Sequence, residues 1–199
     1  MLHLYEIWKG YAMAFKKLLL STYLLATALH AQNSIGIDIN SEDVEVLASV
    51  NLNILADYSN GTTYIIDMSY IHTDGDNMTR IGLLGHNTFQ GVEGLSLSFG
   101  LKGVMANDFL AFPLTAKAVY ALPLIDSIPT TSLAVSFSYA PSVLAFREAD
   151  NYSDFRVEVD MEVISNIHIF TGYRNITTNY ETVNKTFNNS FYGGLKLSF

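Results

Sequence analysis

From Asp154 to Glu162 every second residue is charged: Asp154, Arg156, Glu158, Asp160 and Glu162. The alternate positions, Phe155, Val157, Val159, Met161 and Val163, are all apolar. A period of two puts the two sets on opposite faces of an extended strand. Carboxylates crowded on one face repel unless cations on neighbouring strands pair with them. Arg174, Lys117 and Lys102 are the candidate cations, and Glu45, Asp67 and Lys196 fall on the polar faces of other segments. Such a face supports charge pairing in an enclosed space. It builds either a salt-bridged core that holds a barrel in shape or a charged path for solutes, and the core is the expected role. The network is assigned to Lys102, Lys117, Arg156, Glu158, Asp160, Glu162 and Arg174, with Arg174 expected to reach Glu158, Asp160 or Glu162 on the adjacent strand.

Other chemistry has less support. The histidines are His3, His30, His72, His86 and His168, and none is spaced as a metal ligand. A hydrolase needs a serine, a histidine and an orienting acid or amide. His86 and His168 have serines within a strand or two, but serines occur on most strands here. Asp150 with Glu148 and Asp154 could attract a divalent cation, although solvated loop charge is the expected account. No phosphate-cradling glycine loop is present. Cysteine is absent, so there is no disulfide scaffold and no cysteine-ligated metal. No cofactor, metal or catalytic residue is assigned.

The elements that must position these residues are short alternating segments divided by turn residues, with no helical stretch. Candidate strands are Ser34–Ile39, Val44–Ile54, Tyr64–Tyr70, Met78–Thr88, Leu95–Lys102, Ala111–Leu122, Leu133–Tyr139, Phe155–Val163, Ile167–Ile176 and the terminal segment. The count is ten, and eight stays open if Ser34–Ile39 is irregular. The terminal segment is apolar on one face, through Phe191, Leu195, Leu197 and the final Phe199, with Tyr192, Lys196 and Ser198 on the other. A chain ending this way is expected to close against its first strand and leave no edge in lipid. The fold class expected is all-β: a small antiparallel transmembrane β-barrel of about 8–10 strands, spanning residues 32–199. A soluble barrel or sandwich with its apolar face inside has the same alternation. Aromatics near strand ends favour the membrane form, as a girdle of Tyr58, Tyr64, Tyr70, Phe89, Phe112, Tyr120, Tyr139, Tyr173 and Tyr192. With Phe199 at the periplasm, connections 55–62, 89–94, 123–130 and 164–166 would be periplasmic. Those at 40–43, 72–77, 106–110, 140–152 and 178–188 would face outside, and the last two are the longest.

Residues 1–31 read as a signal peptide: Lys16-Lys17, an apolar run from Leu18, then small residues, with cleavage expected after Ala31. Residues 1–12 fit an over-extended start, with Met13 the initiator. A spanning helix needs about 20 apolar residues, and the run is too short for one. The formal net charge is −8. Lys9, Lys16 and Lys17 against Glu6 give the leader a net +2, so the mature chain carries −10. Acidic charge argues against nucleic acid as a partner.

The runs Tyr139-Ala140-Pro141, Ala149-Asp150-Asn151-Tyr152, Gly172-Tyr173-Arg174 and Phe99-Gly100-Leu101-Lys102-Gly103 resemble the YfaZ-like family of bacterial outer-membrane proteins. The match is clearest over 95–199. The resemblance implies a small outer-membrane barrel and carries over no functional residues. The expectation is a non-catalytic barrel, structural or surface-interacting, with a lumen filled by charged side chains. A narrow channel is the alternative, and a lipid-modifying barrel enzyme the next. Expected partners are outer-membrane lipids and, during biogenesis, periplasmic chaperones and the barrel-assembly machinery, which would read Phe191, Leu195, Leu197 and Phe199. Oligomeric state is left open.

Overall fold

The computed structural model describes residues 33–54, 61–73, 75–124, 129–180 and 183–199. The expected leader and Tyr58 lie outside them. The strands are β1 (Ser34–Ile39), β2 (Val44–Asn51), β3 (Thr63–Thr73), β4 (Asp76–Thr88), β5 (Leu95–Ala106), β6 (Phe109–Ala111), β7 (Leu114–Ala121), β8 (Thr131–Ala140), β9 (Ala145–Arg147), β10 (Ala149–Ile164), β11 (Ile167–Tyr180) and β12 (Asn184–Ser198).

Every pairing is antiparallel, in the order β4-β3-β2-β1-β12-β11-β10-β8-β7-β5, and β5 pairs back onto β4. The sheet is therefore a closed barrel of ten staves. The short segments add none. β6 pairs with the end of β5 and leads into β7 through Phe112 and Pro113, where proline has no N–H to give the ladder. β9 follows β8 after Pro141 and a 3-10 turn at Ser142–Leu144, and pairs with β6. Ser34–Ile39 is regular, paired on both sides by β2 and β12, so the count is ten and not eight.

Several expected boundaries move. β2 ends at Asn51, and Leu52–Ile54 is a 3-10 turn. The segment 178–188 is mostly strand, since β11 runs to Tyr180 and β12 begins at Asn184. Likewise β10 begins at Ala149, inside the expected 140–152 loop. In both cases the ladder continues beyond the point where apolar–polar alternation fades, because backbone hydrogen bonds do not need an apolar face.

The outer surface explains the alternation. Ile37, Leu83, Phe99, Leu101, Phe137, Phe155, Ile169 and Leu195 all face outward and are exposed. A closed sheet clothed in exposed apolar side chains, with its ionised groups inside, is the surface of a barrel that crosses a bilayer. Phe191, Leu195, Leu197 and Phe199 belong to this belt. At the seam Asn33 and Phe199 exchange both backbone hydrogen bonds, at 3.0 and 2.9 Å. One aromatic of the expected girdle, Tyr192, does not lie at a membrane interface. Tyr152 and Tyr192 point into the lumen and are buried, because they share faces with Asp154 and Lys196.

The wall is uneven. β10, β11 and β12 have 16, 14 and 15 residues, whereas β1 and β2 have 6 and 8. At about 3.3 Å per residue the long strands reach about 50 Å, well past a hydrocarbon band of about 25 Å. The surplus of the β11–β12 hairpin projects at the end away from the chain termini and arches over the mouth. The Tyr180 hydroxyl donates to the Asn107 carbonyl at 3.3 Å, and its ring meets Phe109 edge-on at 5.4 Å. Lys185 pairs with Asp76. Both contacts are on the far wall, one with the turn after β5 and one with the start of β4.

Closure of the seam needs Gly194, which lies opposite Asp38 in the ladder. A Cβ there would strike the Ile37 carbonyl oxygen and the Phe170 ring, whereas one on Gly193 would meet nothing nearer than 3.8 Å. Gly194→Ala is expected to lower the thermal unfolding midpoint and the folded yield in gel-shift assays, with Gly193→Ala close to the parent. Equal behaviour of the two variants would show that the seam tolerates the added carbon.

Candidate functional site

The lumen has three layers, each set by which inward positions are charged. At the far end, under the β11–β12 hairpin, inward residues are apolar: Ile71, Met78, Val104, Phe109, Tyr152, Ile176 and Phe187 form one buried cluster. These come from strand ends, where the inward face changes from polar to apolar. Lys102 precedes Val104, and Arg174 precedes Ile176, each by one inward step.

Below this cap lies an ionic layer centred on Glu45 of β2. Its Oε2 accepts from Arg156 Nη1 at 2.9 Å and from Arg174 Nη1 at 2.5 Å, while Oε1 takes Arg80 Nη2. One carboxylate thus meets three guanidiniums from β10, β11 and β4. Arg80 also donates to Asp154 at 2.6 Å and to Ser69 Oγ at 2.9 Å. Arg156 Nε donates to Asp154 at 3.2 Å. Arg174 donates to Asp38 at 2.8 Å and to Asn188 at 2.9 Å, and its guanidinium lies 4.9 Å from the centre of the Tyr192 ring. The side chains of Glu45, Asp38 and Arg174 are 0% accessible. Charges so far from water persist only when paired and hydrogen-bonded, and here each has partners.

The short β1–β2 turn tucks into this layer. Asp43 accepts from Asn40 at 2.8 Å, from Asn188, and from Arg174 at 3.5 Å. Burial alone would raise its carboxyl pKa. Hydrogen bonds from Thr73, Asn40 and Asn188 and the Arg174 charge outweigh that and hold it below the ordinary carboxylate range.

Toward the chain termini the lumen opens into a cavity of about 190 Å³, lined by residues that include Asp67, Lys102, Lys117, Ser136, Arg156, Glu158 and Lys196. Lys102 crosses Gly82 to reach Asp67 at 3.0 Å. A Cβ on Gly82 would sit 2.6 Å from the lysine Cγ, so the glycine makes that path. Lys196 pairs with Asp160, and the Tyr192 hydroxyl donates to Glu158 at 3.0 Å.

The expected network divides accordingly. Arg156 and Arg174 belong to the ionic layer, and Lys102, Lys117 and Glu158 to the cavity, with Asp160 beside it. Glu162 joins neither, because its carboxylate accepts the Asn166 backbone N–H at the β10–β11 turn. Arg174 does not reach Glu158, Asp160 or Glu162. Its ladder neighbour on β10 is Arg156, so it turns the other way, to β1 and β2. Sequence reasoning missed Arg80, and gave Asp38 and Asp154 no place in the network. The available signal was Arg80 itself, an arginine between the apolar Met78 and Ile81 on the strand after an Asp-Gly turn. Asp154 is engaged by Arg80 and Arg156 inside the lumen, so it is not part of a loop cation site.

A serine, a histidine and a carboxylate do meet near the termini. His168 Nδ1 is 2.7 Å from Asp160 Oδ1, and Ser198 Oγ is 3.3 Å from His168 Nε2. Acyl transfer also needs donors aimed at an oxyanion. The Ser198 N–H donates to the Asn166 carbonyl and the Phe199 N–H to that of Asn33, so the nearest backbone donors are engaged. Lys196 shares Asp160, which weakens its hold on the imidazole.

The family model described as YfaZ precursor matches residues 14–199. No curated protein matches the sequence. Among solved structures, the fold is similar to the KdgM porin in complex with disordered oligogalacturonate, at TM-score 0.45 and 11% identity over 85% of this chain and 99% of that one. It is also similar to the NanC porin, at TM-score 0.44 and 8% identity with the same coverage.

Removing one partner of a buried ionic group strands the others, at a cost of about 3–5 kcal/mol. Glu45→Ala is expected to lose stability of that order, whereas Glu162→Ala, at an exposed turn, stays within about 0.5 kcal/mol of the parent. Urea unfolding in lipid vesicles, followed by circular dichroism, measures both. Coincident curves for the two variants would deny the ionic layer its role.

Proposed function

The chain belongs to the YfaZ family, and from that premise we propose that it is a small outer-membrane barrel with a closed lumen, structural or surface-interacting rather than catalytic. The observation that carries this reading is the ionic layer itself. Side chains from β1, β2, β4, β10 and β11 meet across the lumen in direct hydrogen bonds and ion pairs, and an apolar cap and an arching hairpin stand above them. A conducting pore instead needs a continuous water column between its mouths. The non-catalytic part of the reading rests on the engaged backbone donors beside Ser198.

In this reading the termini face the periplasm and the β11–β12 hairpin faces outside, with export through a cleaved leader and acyl chains around the belt. The surface available to partners is then the far rim, where Val143, Phe146 and Val183 are exposed. The cavity on the terminus side favours a second reading, passage of small solutes once the cap moves.

Two measurements decide. Purified protein in planar bilayers is expected to show no unitary conductance. Reproducible steps that change on neutralising Arg174 or Asp160 would replace the closed barrel with the channel. The sequence has no cysteine, so single-cysteine labelling reads orientation cleanly. On intact cells an impermeant maleimide is expected to modify Val143→Cys and to spare Ser165→Cys. The reverse pattern would invert the barrel.

A further inference from the structure

One row of the lumen wall is left with unused positive charge. Ladder neighbours point to the same side of a sheet, so residues in register across several strands form a row. Such a row runs Arg156, Ser136, Lys117, Ser98 from β10 through β8 and β7 to β5. It holds two cations and two hydroxyls and no carboxylate. In the next row toward the cap the acid is Asp154, already bound by Arg80 and Arg156. In the next row toward the termini it is Glu158, which takes the Tyr192 hydroxyl from the other side. The remaining acid that faces the cavity near Lys117 is Asp67, which holds Lys102 at 3.0 Å.

Lys117 therefore projects into the cavity with no hydrogen bond and no ion pair among the described residues. Arg156 is anchored through Nε and Nη1, but its Nη2 is buried with no hydrogen-bond partner. A buried charged donor left unpaired is costly, and an anion arriving there would satisfy it. Ser136 lies between the two cations and lines the same cavity.

We propose that this cavity is a binding site for a small oxyanion, a carboxylate or phosphate group, held by Lys117, Arg156 Nη2 and the Ser136 hydroxyl. The guanidinium is fixed in place by Glu45 and Asp154, so its charge and its unpaired, buried Nη2 donor are held at the cavity wall without loss of side-chain freedom. The ammonium supplies the second charge-assisted hydrogen bond on a flexible stem. Low-dielectric walls strengthen both relative to water. About 190 Å³ accommodates a small acid or inorganic phosphate and not a polymer. The ionic layer closes the other side, so the ligand enters and leaves by the terminus mouth.

The test is calorimetric titration of the detergent-solubilised protein with inorganic phosphate and, separately, with acetate, at constant ionic strength in choline chloride. Saturable binding of either anion is expected, weakened about tenfold or more by Lys117→Ala, the loss of one charge-assisted hydrogen bond. Ser136→Ala is expected to weaken it less. Lys185→Ala, at the far rim, leaves it unchanged. Lys117 makes no hydrogen bond or ion pair among the described residues, so its variant is expected to keep the gel shift of the folded barrel. Heat that does not saturate, or that Lys117→Ala leaves unaltered, overturns the site. Binding in detergent is independent of conductance, so this failure leaves the closed-lumen reading standing.

Discussion

One carboxylate, Glu45, holds the barrel's interior together. Three guanidiniums converge on it from three strands, and any one of them without it would be a buried, underpartnered cation. The arrangement forces its neighbours. Three positive charges around one negative charge need further acids, and Asp154, Asp38 and Asp43 supply them. The remaining hydrogen-bonding capacity draws in Ser69, Asn188 and Asn40. The layer is thus a cluster and not a set of pairs, and its members lose their roles together.

Lipid outside makes this necessary. In a soluble barrel the apolar face fills the interior and the charges sit in water. Here acyl chains take the apolar face, so the charged face must satisfy itself within a narrow enclosure. The cap adds a second solution at the far rim. There the strands rise past the hydrocarbon, the inward positions turn apolar, and Phe109, Tyr152 and Phe187 pack together beneath the β11–β12 hairpin. Cap, ionic layer and open cavity therefore follow from strand length and from the order of inward residues along each strand.

Much of the fold was legible in the chain. Phase was clear wherever apolar and polar residues alternated strictly, as from Phe155 to Val163. Closure was legible in Phe191, Leu195, Leu197 and Phe199. Strand ends were less so, because β11 and β12 continue through Thr177-Thr178-Asn179 and Asn184-Lys185-Thr186 on backbone hydrogen bonds alone. The candidate site was legible as a face, not as contacts. Lys102, Lys117, Arg156 and Glu158 lie where alternation places them, yet Glu162 ends at a turn, and the signal for Arg80 lay in a single residue and not in an alternating run.

By itself the sequence determined which residues share a face wherever the alternation is strict, because a period of two leaves a strand only two sides and separates ionised from apolar groups. Only the tertiary structure decided which charge meets which. Arg174 passes over its own ladder neighbours for Asp38 and Glu45, 136 and 129 residues away. Arg80 spans from β4 to Asp154 on the opposite wall. Contacts across a lumen depend on its diameter and on how far a long side chain can reach, and neither quantity is written in the spacing of residues along a strand.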